Sequence, residues 1–180
     1  MDTLTAVLKA AERAAHWHGA QRRKGTAQEP YINHLIEVAR LVAEATDGGD
    51  ANLVVAALLH DAIEDQPVSR AAVAQEFGED VAALVMEVTD DKTLPKQQRK
   101  RLQVEHAPGL SSRAAILKLA DKTSNLTALA VSPPAEWNRA RRLEYVQWGR
   151  DVAVRLKVES AWLRERFADA ADAAERAARA

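Results

Sequence analysis

The 180-residue sequence contains no cysteine, which excludes disulfide bonds, thiolate nucleophiles and cysteine metal ligands. No uncharged apolar run approaches the length of a membrane span, and the N-terminal segment lacks the continuous apolar core of a signal peptide. Basic residues number 25 and acidic residues 26, so there is no charge excess of the kind that favours a general nucleic-acid surface. These absences favour a cytoplasmic protein that binds neither membranes nor nucleic acid.

Aromatic residues are also scarce, at 4 %, and no segment alternates as a strand would, so we predict an all-α fold. The predicted helices cover residues 3–18, 32–45, 51–65, 69–78, 79–89, 96–106, 113–130 and 136–167. Asp50 and Ser112 are the expected caps of two of them. The short turns between helices favour a single domain over residues 1–180, with its core at about 5–167. The tail beyond residue 167 has few large apolar groups, and we expect it to fray.

Four ionisable residues stand at the end of the most apolar predicted helix: His60, Asp61, Glu64 and Asp65 in the segment ALLHDAIED. At about 100° per residue they would share one side of that helix. Three carboxylates at the end of a buried helix repel one another and are costly to desolvate. A divalent cation bound between them would reduce both costs. Imidazole together with carboxylate suits Mn, Fe, Zn or Co better than Ca or Mg. The alternative is a solvated acidic helix end.

Two other segments supply candidate partners for this cluster. His34 lies in the first turn of an amphipathic helix, where it is either a ligand or an ordinary surface or capping residue. Asp121 and Asn125 stand one turn apart on an otherwise apolar helix, and such a polar row requires a partner inside the fold. His34 and Asp121 would complete a four-ligand protein set with His60 and Asp61, leaving positions for water and substrate.

The segments AAHWHGAQRRKGTAQEPYINHLIEVARLV, AALLHDAIEDQ, FGEDVAALVMEVTDDKTLPKQQRKRLQVEHAP and LKLADKTSNL resemble the HD superfamily. Within it they are similar to the RelA/SpoT-type alarmone hydrolases, and in particular to the small stand-alone members such as the metazoan SpoT homologues. The resemblance covers about residues 5–160. It implies a single HD-domain helical bundle that hydrolyses the 3′-pyrophosphate of ppGpp, with no synthetase domain.

The resemblance also implies roles for individual residues. The implied Mn²⁺ ligands are His34, His60, Asp61 and Asp121, and the implied acids that orient and deprotonate the attacking water are Glu64 and Asp65. The implied nucleotide contacts are Arg23, Lys24, Asn125 and Tyr145. On charge alone, Lys92, Lys96 and Arg142 could balance a polyphosphate, although the run KQQRKR could equally be a solvated helix face. We expect a monomer or a small homo-oligomer.

Thr123 and Ser124 depart from the family pattern, because relatives usually carry Leu followed by His or Tyr at these positions. If the two smaller side chains line the nucleotide pocket, the main substrate could be the adenine alarmone ppApp rather than ppGpp. NADPH, through its 2′-phosphate, is a further alternative. Two other classes stay open: an HD nucleotidase acting on nucleoside monophosphates, and a nucleotide-binding module without activity.

Overall fold

The computed structural model describes residues 2–180, and over that range it confirms an all-α fold without strands. The helices are α1 Thr3–Trp17, α2 Ile32–Ala45, α3 Ala51–Leu59, α4 Ala62–Asp65, α5 Arg70–Phe77, α6 Glu79–Val88, α7 Lys96–His106, α8 Ser112–Val131, α9 Arg139–Ala153 and α10 Ala161–Arg179. A short 3₁₀ turn, Ala107–Gly109, leads into α8. None of the helices between residues 2 and 180 combines the length and hydrophobicity needed to cross a bilayer.

The centre of the molecule is α8, which packs against α2, α3, α6, α9 and α10. Its apolar residues Leu117, Leu119 and Leu126 are buried, and so are its polar residues from Asp121 to Ser124. Helix α3 is buried along almost its whole length, as expected for a helix that is apolar on all sides. Polar groups on α8 therefore lie in the core and require partners there.

The predicted caps are half correct. Asp50 caps α3, because its carboxylate accepts the N–H of Leu53 at 3.0 Å. The cap of α8 is Ser111 rather than Ser112: the Ser111 hydroxyl accepts the N–H of Ala114 at 3.2 Å, and Ser112 is already helical. Ser111 is itself held by Glu87, which explains why the helix begins one residue earlier than predicted.

The single helix predicted over residues 136–167 is wrong. Helix α9 ends at Ala153, and a connection follows in which Leu156 and Val158 are buried. The guanidinium of Arg164 donates to the carbonyls of both residues, at 2.9 and 2.7 Å, so a side chain satisfies backbone groups that a continuous helix would have paired.

The tail also differs from expectation, since α10 is helical through Arg179 and packs along α8. After Phe167, the inner face of α10 consists of Ala170, Ala171, Ala174 and Ala178, all of them buried. Small side chains let two helix backbones approach closely, so a stripe of alanines can bury a helix that lacks large apolar groups. The single-domain organisation over residues 1–180 stays a prediction.

The helix predicted over residues 51–65 is interrupted at His60 and Asp61, which lie between α3 and α4. The ring of His60 reaches the carbonyl of Ala57, with Nδ1 at 2.8 Å from the oxygen. That carbonyl is the one that the N–H of Asp61 would bond in an uninterrupted helix. The break turns the His60 and Asp61 side chains toward α2 and α8.

Candidate functional site

Three of the four predicted ligands converge between α2, the end of α3 and α8. One ligand atom each from His34, His60 and Asp121 lies within 4.8 Å of the others, and both histidines are buried. The Nε2 atoms of His34 and His60 lie 3.4 and 3.8 Å from Asp121 Oδ1. Residues that are far apart in the sequence thus form one compact group of imidazole and carboxylate.

Asp61, the fourth predicted ligand, stands at the edge of this group. Its Oδ2 lies 3.2 Å from His60 Nε2 and 3.8 Å from His34 Nε2, and it accepts a hydrogen bond from the Tyr31 hydroxyl at 2.6 Å. Burial and the Asp61 charge raise the pKa of Tyr31, so the hydroxyl stays protonated and continues to donate. Tyr31 was not predicted from the sequence, although it lies only three residues before His34.

The two histidines present the same nitrogen to the centre. Nδ1 of His60 bonds the Ala57 carbonyl, and Nδ1 of His34 lies 2.8 Å from the Ser124 hydroxyl. Their Nε2 atoms are buried, and neither has a hydrogen-bond partner within residues 2–180. An imidazole bonded at Nδ1 with a free, buried Nε2 is the arrangement that a metal-binding histidine adopts. The residues present therefore fit a divalent cation.

Charge favours a cation at the same place. Burial lowers the pKa of His34, which keeps its ring neutral. Burial also opposes charge on His60, but the carboxylates of Asp61 and Asp121 outweigh it and raise the pKa of His60 to about 10. Burial likewise opposes ionisation of Asp121, yet the neighbouring Lys122 ammonium and the histidines hold the pKa of Asp121 well below its usual range. The carboxylates attract positive charge, and a divalent cation could replace the proton on His60.

The predicted acids lie next to this centre on α4. Glu64 is partly buried, its Oε2 accepts the backbone N–H of Asp90 at 3.1 Å, and its Oε1 lies 3.5 Å from Lys92 and from Arg99. Burial, together with the negative charges around it, raises the pKa of Glu64. Asp65 is fixed between Lys92 and Gln21, whose amide donates to it at 2.8 Å. Glu64 is thus a carboxylate held in a fixed position, and it binds a proton more readily than an exposed glutamate does.

The centre opens into a cleft of about 360 Å³. Tyr31, Asp61 and Glu64 line its inner end. The predicted substrate residues Arg23, Lys24, Lys96, Asn125 and Tyr145 also line the cleft. Asn125 joins the two ends, because it donates to Asp121 at 2.6 Å and accepts from Arg23 at 3.2 Å.

The loop that carries Arg23 and Lys24 is held against the end of α8. The backbone N–H of Ala27 donates to the Ser132 hydroxyl at 2.9 Å. A Cβ atom on Gly25 would lie 2.1 Å from the Ser132 carbonyl oxygen, so only glycine permits this approach. The two basic side chains therefore project from an anchored loop, which fixes their position relative to the metal centre.

Several residues of the cleft were missed. Arg99, Lys100 and Gln103 of α7 line it together with Lys96, and so do Trp137 and Trp148. The positions 96, 99, 100 and 103 recur at helical spacing, so one face of the basic helix meets the cleft while Gln97, Gln98 and Arg101 stay exposed. The Lys100 ammonium lies over the rings of Tyr145 and Trp148, at 5.4 and 4.9 Å. This spacing was the signal that could have distinguished the lining face from a solvated one.

The structure does not bring Arg142, Thr123 or Ser124 to this cleft. Arg142 does not line it, because its guanidinium turns to the Trp137 carbonyl, to which it donates at 2.9 Å. Thr123 and Ser124 do not line it either: both are buried in α8, where Thr123 bonds the Leu119 carbonyl and Ser124 bonds His34. Both positions of α8 face the packed interior, so neither side chain can contact a nucleotide base.

Comparison with known proteins agrees with this geometry. The family model described as HD domain matches residues 10–146. The chain belongs to the HD domain family. It is 46 % identical to the guanosine-3′,5′-bis(diphosphate) 3′-pyrophosphohydrolase MESH1 of Xenopus tropicalis over 151 residues, which cover 84 % of each chain. The human enzyme of the same name is 46 % identical over 159 residues, which cover 88 % of the present chain and 89 % of the human one.

A solved structure has the same fold. It is described as "A metazoan ortholog of SpoT hydrolyzes ppGpp and plays a role in starvation responses". It superposes on this HD domain with a TM-score of 0.88 and 41 % identity, over 92 % of this chain and 93 % of the other. The helical bundle expected from the sequence is thereby confirmed.

Proposed function

We propose that this protein is a metal-dependent hydrolase that removes the 3′-pyrophosphate from (p)ppGpp-type nucleotides. The observation that carries the proposal is that the cavity at the His/Asp centre adjoins a cleft with a rim of cations, and that the two share Tyr31, Asp61 and Glu64. The relatives that bear the name of this activity share 46 % of their residues with the chain over most of its length. We assign the metal to His34, His60, Asp61 and Asp121, and we propose Mn²⁺ because mixed imidazole and carboxylate ligands suit it.

The rim has the chemistry of a polyphosphate site. Burial together with the surrounding cations, among them Lys24 and Lys100, lowers the pKa of Lys96. When neighbouring cations disfavour the charged form of a lysine, the local potential is positive, and a bound anion would neutralise it. The substrate's two pyrophosphate groups carry several negative charges, and their binding would neutralise this rim. A nucleoside monophosphate offers fewer charges, so the rim does not favour the nucleotidase alternative.

A divalent cation held at the centre would stabilise charge on a phosphate oxygen and make a nearby water more acidic. Glu64 lies where it could take the proton of the attacking water, and its raised pKa favours accepting one. Asp65, fixed by Lys92 and Gln21, would orient that water. Hydrolysis of ppGpp then consumes one water, cleaves the ester at the ribose 3′ oxygen, and releases pyrophosphate and GDP.

Guanine is the base we propose. The reason for considering adenine as an alternative was the smaller pair at Thr123 and Ser124, and both lie outside the cleft. Base selection must instead come from residues of the cleft wall, among which Arg22 and the loop that follows it offer hydrogen-bonding groups.

The test is incubation with ppGpp, ppApp and NADPH in parallel, each with Mn²⁺, followed by chromatographic identification of the products. We expect GDP and pyrophosphate from ppGpp, and a higher kcat/KM for ppGpp than for the other two. Release of orthophosphate alone, or no turnover of any of the three, would contradict the proposal. The nucleotide-binding module would be supported if ppGpp bound but was returned intact.

The remaining expectations stay predictions. They are a cytoplasmic location, a monomeric or small homo-oligomeric state, and the absence of a nucleic-acid partner. Gel filtration with light scattering measures the oligomeric state directly.

A further inference from the structure

Ser124 stands at the middle of a buried hydrogen-bonded relay that ends on His34. Its hydroxyl oxygen lies 2.8 Å from His34 Nδ1 and 2.6 Å from Glu37 Oε2. Ser124 has no solvent exposure and His34 has 2 %, so water does not compete for the bond between these two residues. Glu37 lies one turn beyond His34 on α2, while Ser124 comes from α8, so the relay crosses the interface that builds the centre.

The chemistry of the three groups fixes the direction of both hydrogen bonds. A carboxylate can only accept, so the Ser124 hydroxyl hydrogen must point at Glu37. The lone pairs of the hydroxyl oxygen then accept from His34, which places the ring hydrogen on Nδ1. The lone pair of Nε2 is left facing the centre, where that atom has no hydrogen-bond partner within the described chain. The relay therefore selects both the tautomer and the orientation that coordination requires.

The other histidine reaches the same state by a different route. His60 donates from Nδ1 to the backbone carbonyl of Ala57, a partner that no substitution can remove. His34 depends on two side chains instead, and this difference makes its orientation open to mutation. The neighbouring hydroxyl of Thr123 provides a comparison, because it is also buried but donates its hydrogen bond to the Leu119 carbonyl instead of to the relay.

We propose that Ser124 and Glu37 are positioning residues for the metal centre, which hold the His34 imidazole with its hydrogen on Nδ1 and its free Nε2 directed at the cation. The inference rests on the metal centre of the proposed function. It also gives Ser124, which departs from the family pattern noted above, a role that has no connection with the nucleotide base. Groups that hold a metal ligand in this way typically change metal affinity by about 10- to 100-fold when removed.

Two substitutions probe the relay at different points. Ser124→Ala removes the acceptor of the His34 Nδ1 hydrogen and leaves the ring free to turn or to change tautomer. Glu37→Ala leaves the serine in place but removes the group that fixes its hydrogen, so the hydroxyl can donate to Nδ1 and favour the wrong tautomer. Glu37 is only half-buried, so the second variant should fold even if the first does not. Thr123→Val is the matched control, because it deletes a buried hydroxyl on the same helix without touching the relay.

The experiment measures Mn²⁺ affinity by calorimetric titration of metal-free protein. It measures the His34 tautomer by ¹⁵N NMR of the same protein before metal is added. We expect the dissociation constant to rise about 10- to 100-fold in Ser124→Ala, to rise in Glu37→Ala, and to stay unchanged in Thr123→Val. The Nδ1–H form of His34 should dominate in wild type and in Thr123→Val, and should lose that dominance in the two relay variants. Unfolding curves of the metal-free proteins separate these effects from loss of structure.

The outcomes distinguish the inference from the function on which it rests. Wild-type affinity and tautomer in both relay variants would overturn the positioning role and leave the metal centre standing. If Thr123→Val weakened Mn²⁺ binding as much as the relay variants do, the positioning role would also be overturned. The loss of any buried hydroxyl of α8 would then have the same effect. Wild-type protein that binds no Mn²⁺ would overturn the metal centre, and the positioning role with it.

Discussion

Replacement of Glu64 by glutamine separates chemistry from structure at this site. Glutamine has almost the same shape, and its carbonyl oxygen can still accept the backbone N–H of Asp90, which now lies 3.1 Å from Oε2. What disappears is a negative charge and the capacity to take a proton. Because Glu64 is not one of the proposed ligands, metal binding should be retained.

The two costs differ enough in size to be told apart. The lost ion pairs join Glu64 to Lys92 and Arg99 at 3.5 Å. Because burial outweighs these pairs and raises the pKa of Glu64, the fold does not favour its charge, and removing that charge should lower the free energy of unfolding by at most about 1 kcal/mol. Loss of a general base typically lowers turnover by about 10²- to 10⁴-fold, which raises the activation barrier by about 3–5 kcal/mol. The effect on kcat should therefore greatly exceed the effect on stability.

The pH dependence gives a second readout with a defined sign. Burial raises the pKa of Glu64, so at low pH the group is protonated and cannot act as a base. The wild-type rate should therefore rise with pH as Glu64 loses its proton, and Glu64→Gln should lack that rise. Glu105→Gln, which removes an exposed charge on α7, is the matched control and should behave as wild type.

The assay is steady-state hydrolysis of ppGpp at saturating Mn²⁺, with metal content checked by elemental analysis. A variant that keeps near-normal turnover would show that Glu64 is not the base. A variant that loses its metal would show that Glu64 is a ligand, which contradicts the present assignment.

Three further predictions address the rim, the tail and an ion pair outside the site. Lys100→Met should raise the KM for ppGpp about tenfold, while Arg101→Met on the exposed face of α7 should not, as steady-state kinetics will show. Ala174→Asp should lower the free energy of unfolding by about 3 kcal/mol or more in urea denaturation, because it places a charge between α10 and α8, whereas Ala168→Asp on the exposed side should cost little. Arg113 hydrogen-bonds to Asp50 and Asp80 and lowers the pKa of each, so both contribute stability at neutral pH that is lost as they are protonated. Arg113→Met should therefore lower stability by at most about 1 kcal/mol near pH 7, since the pair is partly exposed, and the difference from wild type should shrink below about pH 4.

Three residues of the centre stand out in the sequence because each one breaks a local rule, whereas His34 does not. His60 and Asp61 interrupt the most apolar segment, and Asp121 interrupts an apolar helix, so each signals a partner inside the fold. Their convergence depends on the packing of α2, α3 and α8, which the resemblance to HD proteins implied and periodicity alone did not. The break between α3 and α4 was missed because it involves a bond from the His60 side chain to the Ala57 carbonyl.

The errors have a common physical origin in packing. Whether the C-terminal segment forms a packed helix depends on whether α8 offers a surface that its alanines can approach. The composition of the segment does not reveal this. The same holds for Ser124, whose neighbours Asp121 and Asn125 face the cleft while Ser124 itself faces α2. Which side of a wholly buried helix meets a cleft is decided by the surrounding helices, so a polar residue on it can be assigned only when they are in place.

The most direct test of the central claim compares metal content and ppGpp hydrolysis in one preparation. Protein stripped with a chelator and shown by elemental analysis to hold no metal should be inactive, and Mn²⁺ should restore release of pyrophosphate and GDP over the range in which it binds. Asp121→Ala and His60→Ala should neither bind the metal nor recover activity. Full ppGpp hydrolysis by protein that is demonstrably free of metal would contradict the account.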